Sequence, residues 1–374
     1  DSHLSLIEKV VALKKKVVVI LAGGSVMELP FADQVDGLLL TYLAGEACGP
    51  AIVDVLLGRV NPSGKLPETW PLTYKDVPSG NFFPGDETNA MYKESIYVGY
   101  RYYDTFNIAV RYPFGYGLSY TSFSYANLDF KYEFSEGKIR YSVSFDVTND
   151  GAASGAEIVQ LYVASKAVGV YKPSHELRGF AKVRLEPNET KRVTIYIDQD
   201  DLCIYDLTTH EYLLEKGRYV FEIGASSRDI RLNKEVLIEG EDASHLVDDD
   251  LGDYYAPHHP LTVSDEQFEK ILQDRIPVAR DRKIRPFSKN STLKDIEDTM
   301  VGKIITKTLH NMANKMTGED IEATRRMFIE SALTMPLRGY TMSGMMSNRA
   351  IDGIVHLANR HPVRGLWCLL FKGK

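Results

Sequence analysis

Cysteine is scarce: Cys48, Cys203 and Cys368 are the three in 374 residues, and they lie far apart. That excludes a zinc ribbon, a CxxC redox pair and a disulfide framework. No run of about 18 apolar residues occurs, which excludes a membrane-spanning helix. Positive charge is short as well, with 44 Lys and Arg against 51 Asp and Glu, a net charge of −7. No global basic field is left to hold nucleic acid or anionic lipid. Pairs of His and Cys at ligand spacing are missing too. His258-His259 beside Asp248-Asp249-Asp250 and Asp253 sits on a Pro-broken acidic stretch without fixed geometry, so it reads as solvated linker, and no metal site is expected. Gly23-Gly24-Ser25 lacks the spacing of a phosphate cradle and reads as a turn at a strand end.

What is present is an ordinary globular composition, 44% hydrophobic and 25% charged, on a chain longer than one core serves. The periodicity changes along it. Residues 1–70 alternate helix and strand: Leu6, Val10 and Leu13 share a helical face, and Val17 to Leu21 form a continuous apolar run before Gly23-Gly24. Such a run predicts a parallel strand covered on both faces. Leu38-Leu39-Leu40 repeats it, and Ala47 to Leu57 predicts a helix ended by Gly58. From 71 to 118 the periodicity fades among aromatics and turn formers, a pattern of functional rather than disordered segments. Beyond 139 the period is two. Tyr141, Val143, Phe145 and Val147 alternate with polar residues, as do Val159 to Val163, Val193 to Ile197 and Tyr219 to Ile223. This predicts an antiparallel, immunoglobulin-like sandwich. After 241 a polar linker leads to predicted helices at 264–275, 292–315, 318–336 and 347–359.

The densest chemical cluster runs from Tyr92 to Asp104, where Glu94 stands among five tyrosines with Lys93 and Arg101 on either side. Sugar rings present an apolar face and a hydroxyl rim, which aromatic residues with polar tips suit. Glycosidic cleavage needs a carboxylic acid for the leaving oxygen and a second carboxylate across the sugar. Glu94 has the company such an acid wants, since shelter from water favours the neutral carboxyl. On spacing and composition alone the favoured reading is the bland one, with Glu94 paired with Lys93 or Arg101 on a surface hairpin.

Residues 91–120, including Tyr92-Lys93-Glu94-Ser95-Ile96-Tyr97-Val98-Gly99-Tyr100-Arg101-Tyr102-Tyr103-Asp104 and Tyr112-Pro113-Phe114-Gly115-Tyr116-Gly117-Leu118-Ser119-Tyr120, resemble glycoside hydrolase family 3, its β-glucosidase group in particular. The stretch Gly58 to Pro71 is similar to that family's loop leaving its α/β domain. Val147-Thr148-Asn149-Asp150-Gly151, Glu157 to Val163, Glu176 to Val183 and Gly224 to Ile230 are similar to its fibronectin type III-like module. The resemblance covers roughly residues 1–235, and the tail resembles, more loosely, a helical extension of some bacterial members.

The resemblance implies three domains: a partial α/β sandwich (1–120), an all-β immunoglobulin or fibronectin III-like sandwich (121–240), and a linker with α-helical C-terminal extension (241–374). It implies Glu94 as the catalytic acid/base of a retaining, exo-acting enzyme on a small carbohydrate, without a cofactor. It also implies a nucleophile from a TIM barrel. The sequence holds no eightfold βα repeat and none of the about 250 residues one needs, so the chain alone is expected to be inactive and to await the barrel half. A bacterial, cytoplasmic setting is expected, the start Asp1-Ser-His-Leu lacking a basic-then-apolar signal. A non-catalytic carbohydrate-binding or assembly module stays open, as do β-xylosidase and arabinosidase activities.

Tyr92, Tyr97 and Trp70 are the substrate-contact candidates, with core packing open for Trp70. Tyr97, Tyr100 and Tyr102 on a strand would put Tyr100 and Tyr102 on one face and Tyr97 on the other. Asp104 and Arg101 are expected to pair, and Glu68 to be structural. Residues 354–374, with Trp367, Leu369, Leu370 and Phe371 beside Arg360, Arg364, Lys372 and Lys374, suit either docking in a bundle or subunit, a homo-oligomer included, or contact with a membrane surface.

Overall fold

The computed structural model describes residues 2–83, 85, 89–135, 137–256, 258–278, 282–315 and 321–370. Pro257, Phe371, Lys372 and Lys374 of the sequence reading lie outside them. The chain forms two compact units, Asp1–Phe83 with Met91–Ile276, and Pro84–Ala90 with Pro277–Lys374. The first unit therefore runs past residue 240, well into the stretch read as linker and tail.

The α/β part opens with helix α1 (Ser2–Val11) and strand β1 (Val18–Leu21), which pairs in parallel with β2 (Gly37–Leu40) before α2 (Cys48–Leu56). Strand β3 (Trp70–Pro71) pairs with β4 (Val110–Tyr112), and helix α3 (Tyr100–Thr105) lies between them in sequence. The apolar runs predict these strands, but not their surroundings. Val18 and Ile20 are 50% and 41% exposed, so β1 is uncovered on the face that its composition would bury.

The β sandwich holds seven long strands: β5 (Phe123–Ser135), β6 (Lys138–Asn149), β7 (Gly155–Ser165), β8 (Glu176–Leu185), β9 (Thr190–Asp198), β12 (Gly217–Gly224) and β13 (Ile230–Ile238). A small hairpin, β10 (Ile204–Asp206) with β11 (Glu211–Leu213), is inserted after β9. The sheets run β13-β12-β7-β8 and β5-β6-β9, with every pairing antiparallel. The alternating residues are the inward ones. Tyr141, Val143, Phe145 and Val147 meet Val159, Leu161, Tyr219, Phe221 and Ile223 in one core. Alternation does not reveal β5, because a bulge between Ala126 and Asp129, with Asn127 at φ 55°, shifts its phase midway.

Two short helices, α4 (Gly252–Tyr255) and α5 (Asp265–Leu272), close the first unit. In α5 the Ser264 side chain accepts from Gln267 N and caps the first turn. The stretch read as solvated linker is packed only in part: Tyr254 is fully buried and Lys270 bridges Asp248 and Asp250, while Asp249, Asp250, His258 and His259 stay exposed. The apolar Tyr254, Leu261 and Val263 explain this, since they join a cluster with Tyr97, Tyr102 and Tyr103.

The second unit contains α6 (Met300–Ala313), α7 (Ile321–Thr334), α8 (Gly339–Met342), α9 (Asn348–Ala358) and α10 (Pro362–Leu370) around Phe287, Leu293, Ile296, Leu337, Tyr340, Ile351 and Ile354. The helix expected from 292 begins only at Met300. Thr292 and Asp295 exchange side-chain-to-backbone bonds (Thr292 N to Asp295 Oδ2, 2.7 Å; Asp295 N to Thr292 Oγ1, 3.1 Å), which hold a turn there. Thr299 then caps α6 by accepting from Gly302 N. Helix α10 comes close to α9 at Gly353 and Gly365, leaving Val363, Trp367 and Leu370 exposed. No helix among the described residues is long and apolar enough to cross a membrane.

Phe221 is fully buried between the two sheets. Phe221→Ala should cost about 3–5 kcal/mol, seen as a lower urea midpoint for the β-sheet circular-dichroism signal.

Candidate active site

Glu94 lies in a tight turn, 92–98, that leads into α3. Two residues give the turn its shape: Ser95 sits at φ 51° and Gly99 at φ 55°, ψ −137°, a region open to glycine at little cost. The Ser95 strain is held by its hydroxyl, 2.7 Å from the Tyr171 hydroxyl. Glu94 is 6% exposed, and its Oε2 is buried with no hydrogen-bond partner among the described residues. It pairs with neither Lys93 nor Arg101. Lys93 is itself buried and bonds Asp265 and the Val263 carbonyl, while Arg101 pairs with Glu176.

Helix α3 fixes the other end of the loop. The strand geometry expected for Tyr97, Tyr100 and Tyr102 is replaced by this helix, which buries Tyr100, Tyr102 and Tyr103. Three neighbouring tyrosines drive it, because the helix lets all of them reach apolar surroundings. Tyr100 stacks on Phe114 at 4.7 Å and accepts the Leu177 amide. Tyr102 bonds His259 Nδ1 at 2.8 Å, which ties one of the linker histidines into the core. No group of three or more potential metal ligands occurs among the described residues.

Asp104 pairs not with Arg101 but with Arg228 and His175. Arg228 Nε donates to Asp104 Oδ1 at 2.5 Å, and its Nη2 donates to the carbonyls of Tyr103 and Ile108. His175 contacts Asp104 through Nε2 at 3.4 Å and Glu222 through Nδ1 at 2.7 Å. Burial opposes charge on His175, but its hydrogen bonds to Asp104 and Glu222 outweigh that and push the imidazolium up to about 9. Burial also works against the Asp104 carboxylate, yet His175 and Arg228 hold its pKa below the usual value. Sequence reasoning missed His175 and Arg228. Arg228 belongs to the Gly224–Ile230 motif, a signal in hand, whereas nothing local marks His175.

Two substrate candidates are corrected by burial. Trp70 is 1% exposed in the core with Leu29 and Phe31, and Tyr97 is 1% exposed with its hydroxyl donated to the Tyr254 carbonyl at 2.7 Å. Neither ring reaches a surface where a sugar could lie. Tyr92, two residues before Glu94, is 72% exposed. Glu68 accepts from the Tyr42 hydroxyl at 3.0 Å, a structural bond.

Residues 1–120 match the glycosyl hydrolase family 3 C-terminal domain. The first domain belongs to that family. Residues 157–227 match a fibronectin type III-like domain, so the β sandwich is of that type. Thermostable beta-glucosidase B of Acetivibrio thermocellus is 44% identical over 239 residues, which is 64% of this chain and 32% of that protein. Exo-alpha-(1->6)-L-arabinopyranosidase of Bifidobacterium breve is 41% identical over 240 residues, 64% of this chain and 31% of its own. Beta-glucosidase 3B from Thermotoga neapolitana, solved with alpha-D-glucose, superposes with a TM-score of 0.60 at 40% identity, covering 64% of this chain and 34% of that one. The family 3 beta-glucosidase of Bifidobacterium adolescentis gives 0.60 at 34% identity over 80% of this chain and 38% of that one. The chain thus spans about a third of the length of the curated relatives it matches.

The raised His175 pKa has a thermodynamic consequence. A pKa lifted from 6.5 to about 9 means that the folded state binds the proton more tightly. The resulting stability is full below pH about 6.5 and is lost as pH rises to about 9, on the order of 3 kcal/mol. Urea midpoints should fall across that window in the native chain, and His175→Gln should flatten the fall.

Proposed function

We propose that this chain supplies the general acid/base, Glu94, of a retaining, exo-acting glycoside hydrolase of β-glucosidase type, the nucleophile coming from a TIM barrel. The observation that carries the proposal is the buried Oε2 of Glu94, without a hydrogen-bond partner among the described residues, on a loop tied down at Lys93, Ser95 and Tyr97. Leaving a carboxylate oxygen dry and unbonded costs free energy.

In the double displacement, the second carboxylate attacks the sugar's anomeric carbon while Glu94 gives its proton to the departing aglycone oxygen. Glu94 then takes a proton from the water that frees the sugar. The two carboxyl groups work at about 5–5.5 Å. Tyr92, with its ring in solvent, is the aromatic platform that this reading retains for the aglycone side. No cofactor is required.

The bare face of β1 supports a companion part. Val18, Ile20, Leu43, Val53 and Leu56 are exposed around a two-stranded parallel pair. Parallel sheets are stable when both faces are covered, so further α/β layers and the barrel would bury these side chains. The sugar is open between glucose and arabinose, because relatives of similar identity carry both names. A bacterial cytoplasm is the proposed setting, with which the three free cysteines agree.

Hydrolysis of an aryl β-glucoside should appear when the chain is mixed with a family 3 barrel polypeptide and should be absent from the chain alone. In that assembly Glu94→Gln should spare substrates with good leaving groups and slow poor ones by about 10²–10⁴-fold. Equal losses for both would remove the acid role from Glu94. The dye ANS should bind the isolated chain at the β1 face and be displaced by the barrel polypeptide.

A further inference from the structure

Residues 93, 95 and 97 are each held by a group from outside the loop, and Glu94 stands between them. The Tyr254 hydroxyl donates to the Lys93 carbonyl at 2.9 Å, and the Tyr254 carbonyl accepts the Tyr97 hydroxyl at 2.7 Å. The Tyr254 ring stacks on Tyr171 at 5.1 Å, the same Tyr171 that bonds Ser95. Lys93 Nζ bonds the Val263 carbonyl at 3.1 Å, pairs with Asp265 and lies over the rings of Phe82 and Phe268. Tyr254, Val263, Asp265 and Phe268 all come from one strap, the described residues 251–256 and 258–272. That strap falls outside both family matches, 1–120 and 157–227.

We propose that this strap is the seat that sets the carboxyl of Glu94, with Tyr254 as its positioning residue and the Asp265–Lys93 pair as its second anchor. The inference rests on the acid/base reading of Glu94 and adds which part of the chain governs that group. Core packing alone would be met by a phenylalanine at 254. The hydroxyl adds a directed bond to the peptide immediately before Glu94. Burial, followed by the nearby Tyr171, Asp253 and Glu94, pushes the Tyr254 phenol up, so it stays a donor throughout the working range. Lys93 likewise needs its partner, because a buried ammonium without a carboxylate turns toward water and takes the loop with it. The strap is itself braced. The Asp253 amide donates to Gln267 Oε1 at 3.0 Å, and the Tyr255 hydroxyl donates to the Gly169 carbonyl at 3.1 Å.

The test uses the whole chain, with Tyr254→Phe and Asp265→Asn made separately. Amide exchange of residues 93–97 should speed by about ten-fold in each, with β6 unchanged. The carboxyl ¹³C resonance of Glu94, identified by its loss in Glu94→Gln, should shift in each variant. Exchange within about two-fold of native and an unmoved resonance in both variants would overturn the proposal. Asp265 is an exposed carboxylate, so Asp265→Asn decides the matter should Tyr254→Phe fail to fold. With a barrel polypeptide present, Tyr254→Phe should lower kcat for poor leaving groups and leave KM near native. A moved resonance together with full turnover by Glu94→Gln would uphold the strap and sink the acid/base reading instead.

Discussion

The structure of the first unit turns on the buried charge of Asp104. A carboxylate at the end of α3, almost sealed from water, is tolerable only while Arg228 and protonated His175 face it. Arg228 comes from the turn between β12 and β13, and His175 immediately precedes β8. Neutralising one acid therefore pins α3 to the four-stranded sheet, and the turn ahead of α3 carries Glu94. The fibronectin-like module holds the loop that carries Glu94 in place through this joint.

Packing is unevenly spread. The sandwich closes its own core, with Val143, Phe145, Val147, Val159 and Leu161 fully buried. The α/β part cannot do so, because its parallel pair has a large apolar face and too few elements to cover it. The tyrosine loop lies between these extremes, tightly tied on its sandwich and strap sides, with one buried carboxylate oxygen left without a hydrogen-bond partner among the described residues. Stability and incompleteness sit side by side.

Much of this was legible in the residues. The apolar runs at 17–21 and 38–40 mark β1 and β2, although Val18 and Ile20 stay exposed, and the two-residue alternation from Tyr141 to Ile223 marks four sandwich strands, since alternation follows directly from which face is buried. Glu94 could be singled out through its motif. The helix at Tyr100 was hidden because aromatics so closely spaced as Tyr100, Tyr102 and Tyr103 fit a strand equally well. The strap was hidden by what precedes it: the three aspartates at 248–250 read as solvent, while Tyr254 a few residues on is fully buried. Partnerships across 70 to 170 residues, such as His175 with Asp104 or Asp265 with Lys93, leave no periodic trace.

Gln160 on β7 stitches three segments at once. Its amide donates to the carbonyls of Gly115 and Ala225, and its own carbonyl accepts the Tyr162 hydroxyl. Gly115, at φ 79°, lies so near that a methyl group there would fall 2.0 Å from the Gln160 oxygen. The two modules therefore share a single-residue lock across a boundary that looks like a natural cut site. Shuffling either one between homologues, by recombination or by chimera building, has to carry Gly115 and Gln160 together as an inherited pair.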